Sequence, residues 1–286
     1  MSNPRIVAII QARMASSRLP DKVLLDIAGQ PMLVRVVERT SMAETLDEIV
    51  VATTRETPDD AIANLCAERE YKCYRGSTHD VLDRYYQAAR LHQAEVIVRI
   101  TADCPVIDPG VIDKTVTAFL SLKAPDDQRS AISDETQSLV THRSSSFFYD
   151  FAANRLPPPW GRTYPIGMDA EVCTFQGIKT AWREAELPHQ REHVMPFFYE
   201  QPERFRILHV THDPDHGTLR WTVDTAEDLE LAREIYSRFP DRDDFSWLEI
   251  LDLYEGEPDL AKINMSVQHK DYRETDDRQG EITNNS

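Results

Sequence analysis

Residues 5–22 read RIVAIIQARMASSRLPDK. The unbroken apolar run Ile6 to Ile10 is the pattern of a strand buried on both faces, as in a parallel sheet; a strand with one wet face alternates instead. Gln11 to Asp21 follow as a polar loop, and Pro31 to Arg39, with Met32, Leu33, Val36 and Val37 apolar, reads as an amphipathic helix. Loops at the carboxyl edge of a parallel sheet are where such folds take ligands. This loop carries Arg13, Arg18 and Lys22, and its small residues Ala12, Ala15, Ser16 and Ser17 let backbone N–H groups approach phosphate oxygens. A triphosphate is the natural guest. Neither G-x-G-x-x-G nor G-x-x-x-x-G-K-[ST] occurs, so neither a dinucleotide fold nor a P-loop is supported.

Working outward, the pattern repeats. Glu48 to Thr53 (EIVVAT) is a second buried strand, Asp59 to Arg69 a helix after Pro58, and Tyr71 to Tyr74 a short strand before Gly76. Val81 to His92 is helical and Glu95 to Ile100 (EVIVRI) is again a strand. Short strands alternating with helices predict β-α-β units, an α/β fold with a mainly parallel sheet covered on both faces. Ala124 to Asp134 reads as loop, and Pro157 to Pro159 as an irregular turn that interrupts the sheet. Glu171 to Phe175, Arg206 to Val210 and Arg220 to Val223 read as strands; Gly177 to Ala185, His193 to Gln201 and Ala226 to Ser237 read as helices. We expect one domain over residues 1–265, in portions 1–123, 124–218 and 219–265, and a disordered tail over 270–286, where there is little to bury.

The balance of 32 Lys+Arg against 49 Asp+Glu gives a net charge of −17. That excludes a generic nucleic-acid or anionic-membrane binder, which must present excess cations. No apolar run reaches the roughly 18 to 20 residues that cross a bilayer, so neither a membrane span nor a secretion signal is expected. Cys66, Cys73, Cys104 and Cys173 have no framework spacing, as suits packing thiols in a reduced cytoplasmic protein.

Asp103, directly after the strand EVIVRI, is expected at the ligand edge of the sheet; taken singly it, like Asp224 below, could be a cap or turn former, and it is the pairing of the two that points to a metal. Mg²⁺ prefers one or two carboxylates with phosphate oxygens and water, so a second carboxylate is expected on a neighbouring strand end. Asp224 is that candidate; the Thr225 and Asp228 beside it fit a capping box opening the next helix.

With these residues in place, a resemblance becomes specific. The run IVAIIQARMASSRLPDKVLLDIAGQPML resembles the opening of the cytidylyltransferases that activate 3-deoxy-manno-octulosonate and acylneuraminate. RGSTHDVLDRYYQAA, RITADCPVIDP, GRTYPIGMDAEV, REHVMPFFYEQPERF and WTVDTAEDLELAREI look like the branch named for spore coat polysaccharide biosynthesis protein F. The resemblance implies a nucleotide-diphospho-sugar transferase fold, CTP as donor, Mg²⁺, and release of pyrophosphate. It places Arg13, Ser17, Arg18 and Lys22 around the triphosphate, Ala12 beside the pyrimidine, and Asp103 and Asp224 on the metal. Arg75, Gly76, Ser77, Thr78, His79 and Asp80, with Arg84, correspond to the segment lining the base pocket, and Thr53 ends the strand beside it. The sugar-acid enzymes usually have Gly after the Pro of the first motif, whereas Asp21 stands here.

The acceptor site is expected in the middle region, where Arg143, Arg162, Tyr164, Asp169, Glu171, Arg191, Glu192 and His193 gather. Arginines there could grip an anionic sugar acid or a small phosphorylated polyol or acid; Arg191, Glu192 and His193 could equally form an ion-pair network opening a helix. Arg220 could face the acceptor or an acidic neighbour. A homodimer built through this region would fit the family, and the surrounding pathway would be surface-polysaccharide assembly. His209, His212 and His216 tempt a zinc reading, but Pro214 prevents helical presentation, so they read as a polar loop. The aromatic runs at 147–151 and 197–199 read as core or a self-association surface. Two other readings compete: a nucleotide-sugar-dependent glycosyltransferase, which the arginine-bearing loop disfavours, and a non-catalytic nucleotide-binding module, which the intact Arg13, Arg18, Lys22, Asp103 and Asp224 disfavour.

Overall fold

The computed structural model describes residues 3–121 and 147–268; the expectations for the loop 124–134, for Arg143 and for the tail 270–286 lie outside them. In chain order the N-terminal part contains Ile6–Gln11 (β1), Asp26–Ile27 (β2), Gln30–Pro31 (β3), Met32–Ser41 (α1), Glu48–Thr54 (β4), Asp60–Glu68 (α2), Lys72–Gly76 (β5), Val81–Leu91 (α3), Val96–Thr101 (β6) and Pro109–Leu120 (α4). Phe151–Ala153 (β7), Glu171–Thr174 (β8) and Ile207–His209 (β9) follow, with helices at Phe175–Glu184, Pro188–His193, Pro196–Tyr199, Ala226–Arg238 and Trp247–Gly256.

One sheet runs in the order β5-β4-β1-β6-β8-β7-β9, with β2 and β3 forming a separate hairpin. β1 lies parallel between β4 and β6, β5 extends the parallel half, and β8 alone runs against its neighbours β6 and β7. The unbroken apolar run of β1 is thereby explained: Ala8 and Ile10 join the core on one face of the sheet, Val7 and Ile9 the core on the other. All four are wholly buried, each larger one contributing about 1.5–3 kcal/mol. This is the mainly parallel α/β sheet that the strand-helix alternation predicts.

Local chemistry sets the helix starts. Thr225 and Asp228 form a reciprocal capping box at Ala226–Arg238, as their spacing predicts. Asp108 accepts from the Val111 N–H at 3.0 Å and Pro109 occupies the first turn of α4, a start signal that satisfies an orphan donor.

Two expectations are corrected. Arg220 to Val223 is extended but is not a strand. Its backbone groups bond two separate loops, Trp221 N to the Ile166 carbonyl at 2.7 Å and Val223 N to the Asp103 carbonyl at 2.8 Å, leaving a single parallel bridge between Ile166 and Arg220. The continuous helix expected over His193 to Gln201 is instead Pro188–His193 and Pro196–Tyr199. Pro196 has no N–H to continue the first helix. Val194 turns the chain at φ 70°, ψ −60°, and Met195 N donates to the His193 carbonyl at 2.8 Å, which closes a γ-turn of the strained, positive-φ kind.

Among the described residues no helix is long and apolar enough to cross a membrane. The four cysteines are free thiols, three of them buried.

Candidate active site

β1 delivers its loop to the carboxyl edge of the sheet, where neighbouring elements hold it. Ala12 N donates to the Ala52 carbonyl at 3.1 Å, extending the β1–β4 pairing, and Met14 N donates to Asp59 Oδ1 at 2.7 Å. Asp21 N returns to the Met14 carbonyl at 3.1 Å, and Asp21 takes a left-handed conformation with φ 57°. Glycine is the usual occupant of such a backbone, and aspartate is one of the few side chains that tolerate it. The departure at Asp21 therefore preserves the turn. A single turn of 3-10 helix, Lys22–Leu24, then aims Lys22 inward.

Lys22 is the centre of the site. Its ammonium donates to Asp103 Oδ2 at 2.8 Å, Asp224 Oδ1 at 2.8 Å and the Val223 carbonyl at 2.9 Å. The other oxygen of Asp224 takes Arg18 Nη2 at 2.9 Å and Arg220 Nη2 at 2.8 Å. Arg220 is itself fixed by the wholly buried Asp228 carboxylate, at 2.9 and 3.0 Å, which also accepts from Asn264 Nδ2 at 2.8 Å. Gly167, at φ +105°, lets its loop press on the 221–222 backbone; a Cβ there would lie 2.7 Å from Thr222 N. The Asp224 carboxyl stays well below the usual carboxylate range: burial would raise it, but Lys22, Arg220 and Arg18 together outweigh burial. Burial works to lower the Lys22 ammonium, yet Asp103 and Asp224 prevail and hold it charged.

These groups line one side of a cleft of about 310 Å³, whose far wall includes Arg99, Arg155, Asp169, Glu171, His193 and Tyr199. Arg99 on β6 stands opposite Glu171 on β8 in the sheet register and bonds its carboxylate. Arg155 reaches the other oxygen of Glu171 at 4.0 Å. Arg13 and Glu192 form a 3.8 Å ion pair across the cleft mouth. They and Ala15 also border a second cavity of about 280 Å³, lined further by Thr54, Pro58, Thr78, His79 and Val81.

The fold thus brings Ala12, Arg13, Ser17, Arg18, Lys22, Asp103, Asp169, Glu171, His193 and Asp224 to one cleft. Other candidates are engaged elsewhere. Thr53 is wholly buried. Arg75 turns back to the carbonyls of Thr54 at 2.9 Å and Glu56 at 3.2 Å, and Gly76 packs under Tyr74 and Arg84. Asp80 caps α3 and pairs with Arg191, which also donates to the Trp182 carbonyl. Tyr164 is buried, its hydroxyl accepting from Lys114 Nζ at 2.7 Å, and Arg162 forks onto Asp169 at 3.0 and 3.2 Å without lining the cleft. Arg220 faces acidic neighbours, the second of its two readings. His212 and His216 pack their rings on Trp247. Arg99, Arg155 and Asp59 were not singled out by sequence, and Tyr199, which lines the cleft, was read there as core or a self-association surface. Arg99 had a signal, an arginine within the apolar strand EVIVRI, because a cation there must find a partner or a cleft.

A mainly parallel sheet thus carries a cationic loop and a convergent carboxylate pair at its ligand edge, an arrangement suited to nucleotidyl transfer. The chain belongs to the cytidylyltransferase family, whose pattern it matches over residues 7–263, and is a CTP-dependent enzyme of that class. It is 33% identical over 276 residues to the uncharacterized protein MJ1063 of Methanocaldococcus jannaschii, covering 96% of this chain and 100% of that one. It is 28% identical over 263 residues to the spore coat polysaccharide biosynthesis protein SpsF of Bacillus subtilis, covering 90% and 96% respectively. The structure of a cytidylyltransferase from Leptospira borgpetersenii serovar Hardjo-bovis superposes with a TM-score of 0.78 at 28% identity, over 93% of this chain and 100% of that one.

Proposed function

We propose that the protein transfers CMP from CTP to an anionic sugar acid, or to a small phosphorylated polyol or acid, releasing pyrophosphate, with Mg²⁺ as the metal and surface-polysaccharide assembly in the cytoplasm as the setting. The observation that carries this reading is the position of Lys22, Asp103 and Asp224 between two arginine-bearing walls of one cleft. Arg13, Arg18 and Lys22 lie where a triphosphate would sit, and the adjoining cavity beside Thr78 and His79 has room for the base. Arg99 and Arg155 share Glu171, and Arg162 forks onto Asp169, three guanidiniums against two carboxylates, so that side keeps positive charge for the acceptor's anionic group.

Asp103 and Asp224 suit a hard divalent cation, since a single ammonium already spans both carboxylates. Bound there with triphosphate oxygens, Mg²⁺ would supply Lewis-acid charge neutralisation. In the transfer, an acceptor oxygen, either an ionised phosphate oxygen or a hydroxyl oxygen whose proton passes to solvent, attacks the α-phosphorus and the bond to the bridging oxygen of the β-phosphate breaks. That oxygen departs with the electron pair as part of pyrophosphate. Arg13, Arg18 and Lys22 neutralise its growing charge, so positioning and electrostatics do most of the catalysis. Pyrophosphate release is to be measured with CTP, ATP, GTP and UTP, with and without Mg²⁺, against 3-deoxy sugar acids, nonulosonic acids, phosphoglycerate and glycerol phosphate, with neutral sugars and polyols alongside. Release with CTP, Mg²⁺ and one anionic acceptor is the expected result; turnover confined to neutral acceptors would overturn the acceptor assignment.

A further inference from the structure

The carboxylate pair meant for a divalent cation is already neutralised by the chain itself. Lys22 has three ammonium protons, and all three are committed, to Asp103 Oδ2, Asp224 Oδ1 and the Val223 carbonyl. Arg18 and Arg220 occupy the remaining oxygen of Asp224. Lys22, Arg18 and Arg220 thus face Asp103, Asp224 and Asp228, three cations against three carboxylates, and Lys22 is almost wholly enclosed. Among the described residues no group of three or more His, Cys, Asp or Glu side chains could hold a metal ion, so the pair has no further carboxylate, imidazole or thiolate to offer an arriving cation.

We propose that Lys22 is the resident counter-ion of Asp103 and Asp224, and that it excludes a divalent cation from them until a triphosphate enters. A metal ion arriving alone must displace the ammonium from both carboxylates and leave the site with two surplus positive charges in a half-buried cleft. A triphosphate changes that balance. Its oxygens accept from Lys22 and Arg18, releasing Asp103 and Asp224, and they supply the ligands and negative charge that the carboxylate pair lacks. Metal and nucleotide then bind with positive coupling, each raising the other's affinity by the same factor. The inference rests on the proposed function for the identity of the triphosphate, but the competition between ammonium and metal does not depend on it.

Mn²⁺ binding, read by the electron paramagnetic resonance of the free ion, tests this without turnover. Wild-type protein is titrated alone and with CTP in the absence of acceptor, and Lys22→Met is titrated in the same two conditions. The expected wild-type result is a Mn²⁺ affinity at least about tenfold higher with CTP than without it, within the usual range of coupling between sites. Lys22→Met should bind Mn²⁺ about tenfold or more tightly than wild type in the absence of nucleotide, with a smaller further gain from CTP. With the Mn²⁺ held by CTP alone subtracted, equal Mn²⁺ affinity of the wild type with and without CTP, in protein that calorimetry shows to bind CTP, would overturn the proposal, as would a Lys22→Met protein, folded by circular dichroism, that binds the ion no better than wild type alone. Lys22→Gln serves where the methionine variant does not fold. Calorimetry with CTP at saturating Mg²⁺ separates the two readings: no CTP binding there, together with a Mn²⁺ gain in the variant without nucleotide, sinks the nucleotide assignment and supports the counter-ion role.

Discussion

Asp103 differs from Asp224 in how it is held. It has one strong partner, Lys22, whereas Asp224 has three cations around it. Asp103→Asn should therefore leave the fold intact and lower turnover by roughly two orders of magnitude, the scale of losing one key electrostatic group; steady-state kinetics beside a thermal melt check both halves. Asp224 predicts a pH dependence of stability. An unfolded aspartate titrates near about pH 3.9, and Lys22, Arg220 and Arg18 overcome burial to hold the folded one well below that. The folded chain therefore binds this proton less readily. Its contribution is complete above the ordinary aspartate value and is lost as the pH falls through that value toward the depressed one. Denaturant unfolding between about pH 5 and 2 should show a steeper loss for wild type than for Asp224→Asn; parallel curves would contradict the assignment. At this scale the loop cations and both aspartates were legible in the sequence because charged residues at strand ends have no packing role. Tyr164 and Arg75 were not, since a polar side chain near a motif gives no sign of which way it turns.

At the scale of elements, the γ-turn at Val194 sets the place of Glu192 and His193 beside the cleft. A β-branched residue at positive φ carries about 1–3 kcal/mol of strain, and Val194 is wholly buried. Glycine removes the strain along with the side chain, whereas alanine loses packing and keeps the strain. Val194→Ala should thus be the more destabilising change, the reverse of the ordinary order of Gly and Ala, and thermal melts of the two variants decide it. The sequence showed the strands β1, β4 and β6 because a doubly buried strand must be apolar throughout. It did not show β7, which spans only Phe151–Ala153 inside an aromatic run that also suits a core. Arg220 to Val223 was misread for a related reason: apolar alternation reports burial, while a strand requires a continuous neighbour, and here two loops provide the partners.

Over the whole molecule, the C-terminal segment is fastened to the first half by a buried cation. Arg39 of α1 is wholly enclosed; it donates to the carbonyls of Ile107 and Phe245 at 2.8 Å each and to that of Asp243, and it stacks on the Phe245 ring at 4.3 Å. Arg39→Met would leave two buried carbonyls and a part-buried one without this donor and should cost about 3 kcal/mol or more. Urea unfolding measures this, and a loss below about 1 kcal/mol would show that the clamp is dispensable.

The same long reach governs the site. Lys22 meets Asp103 from 81 positions away and Asp224 from 202. On a ribosome adding 5–20 residues each second, the second carboxylate follows the loop by roughly 10 to 40 seconds. During that interval a nascent chain displays the arginines and the lysine without the Asp224 carboxylate that completes their arrangement. Under the proposed function, the carboxylate pair that would hold the metal is completed only late in synthesis, so transfer chemistry is expected only once Asp224 has been added.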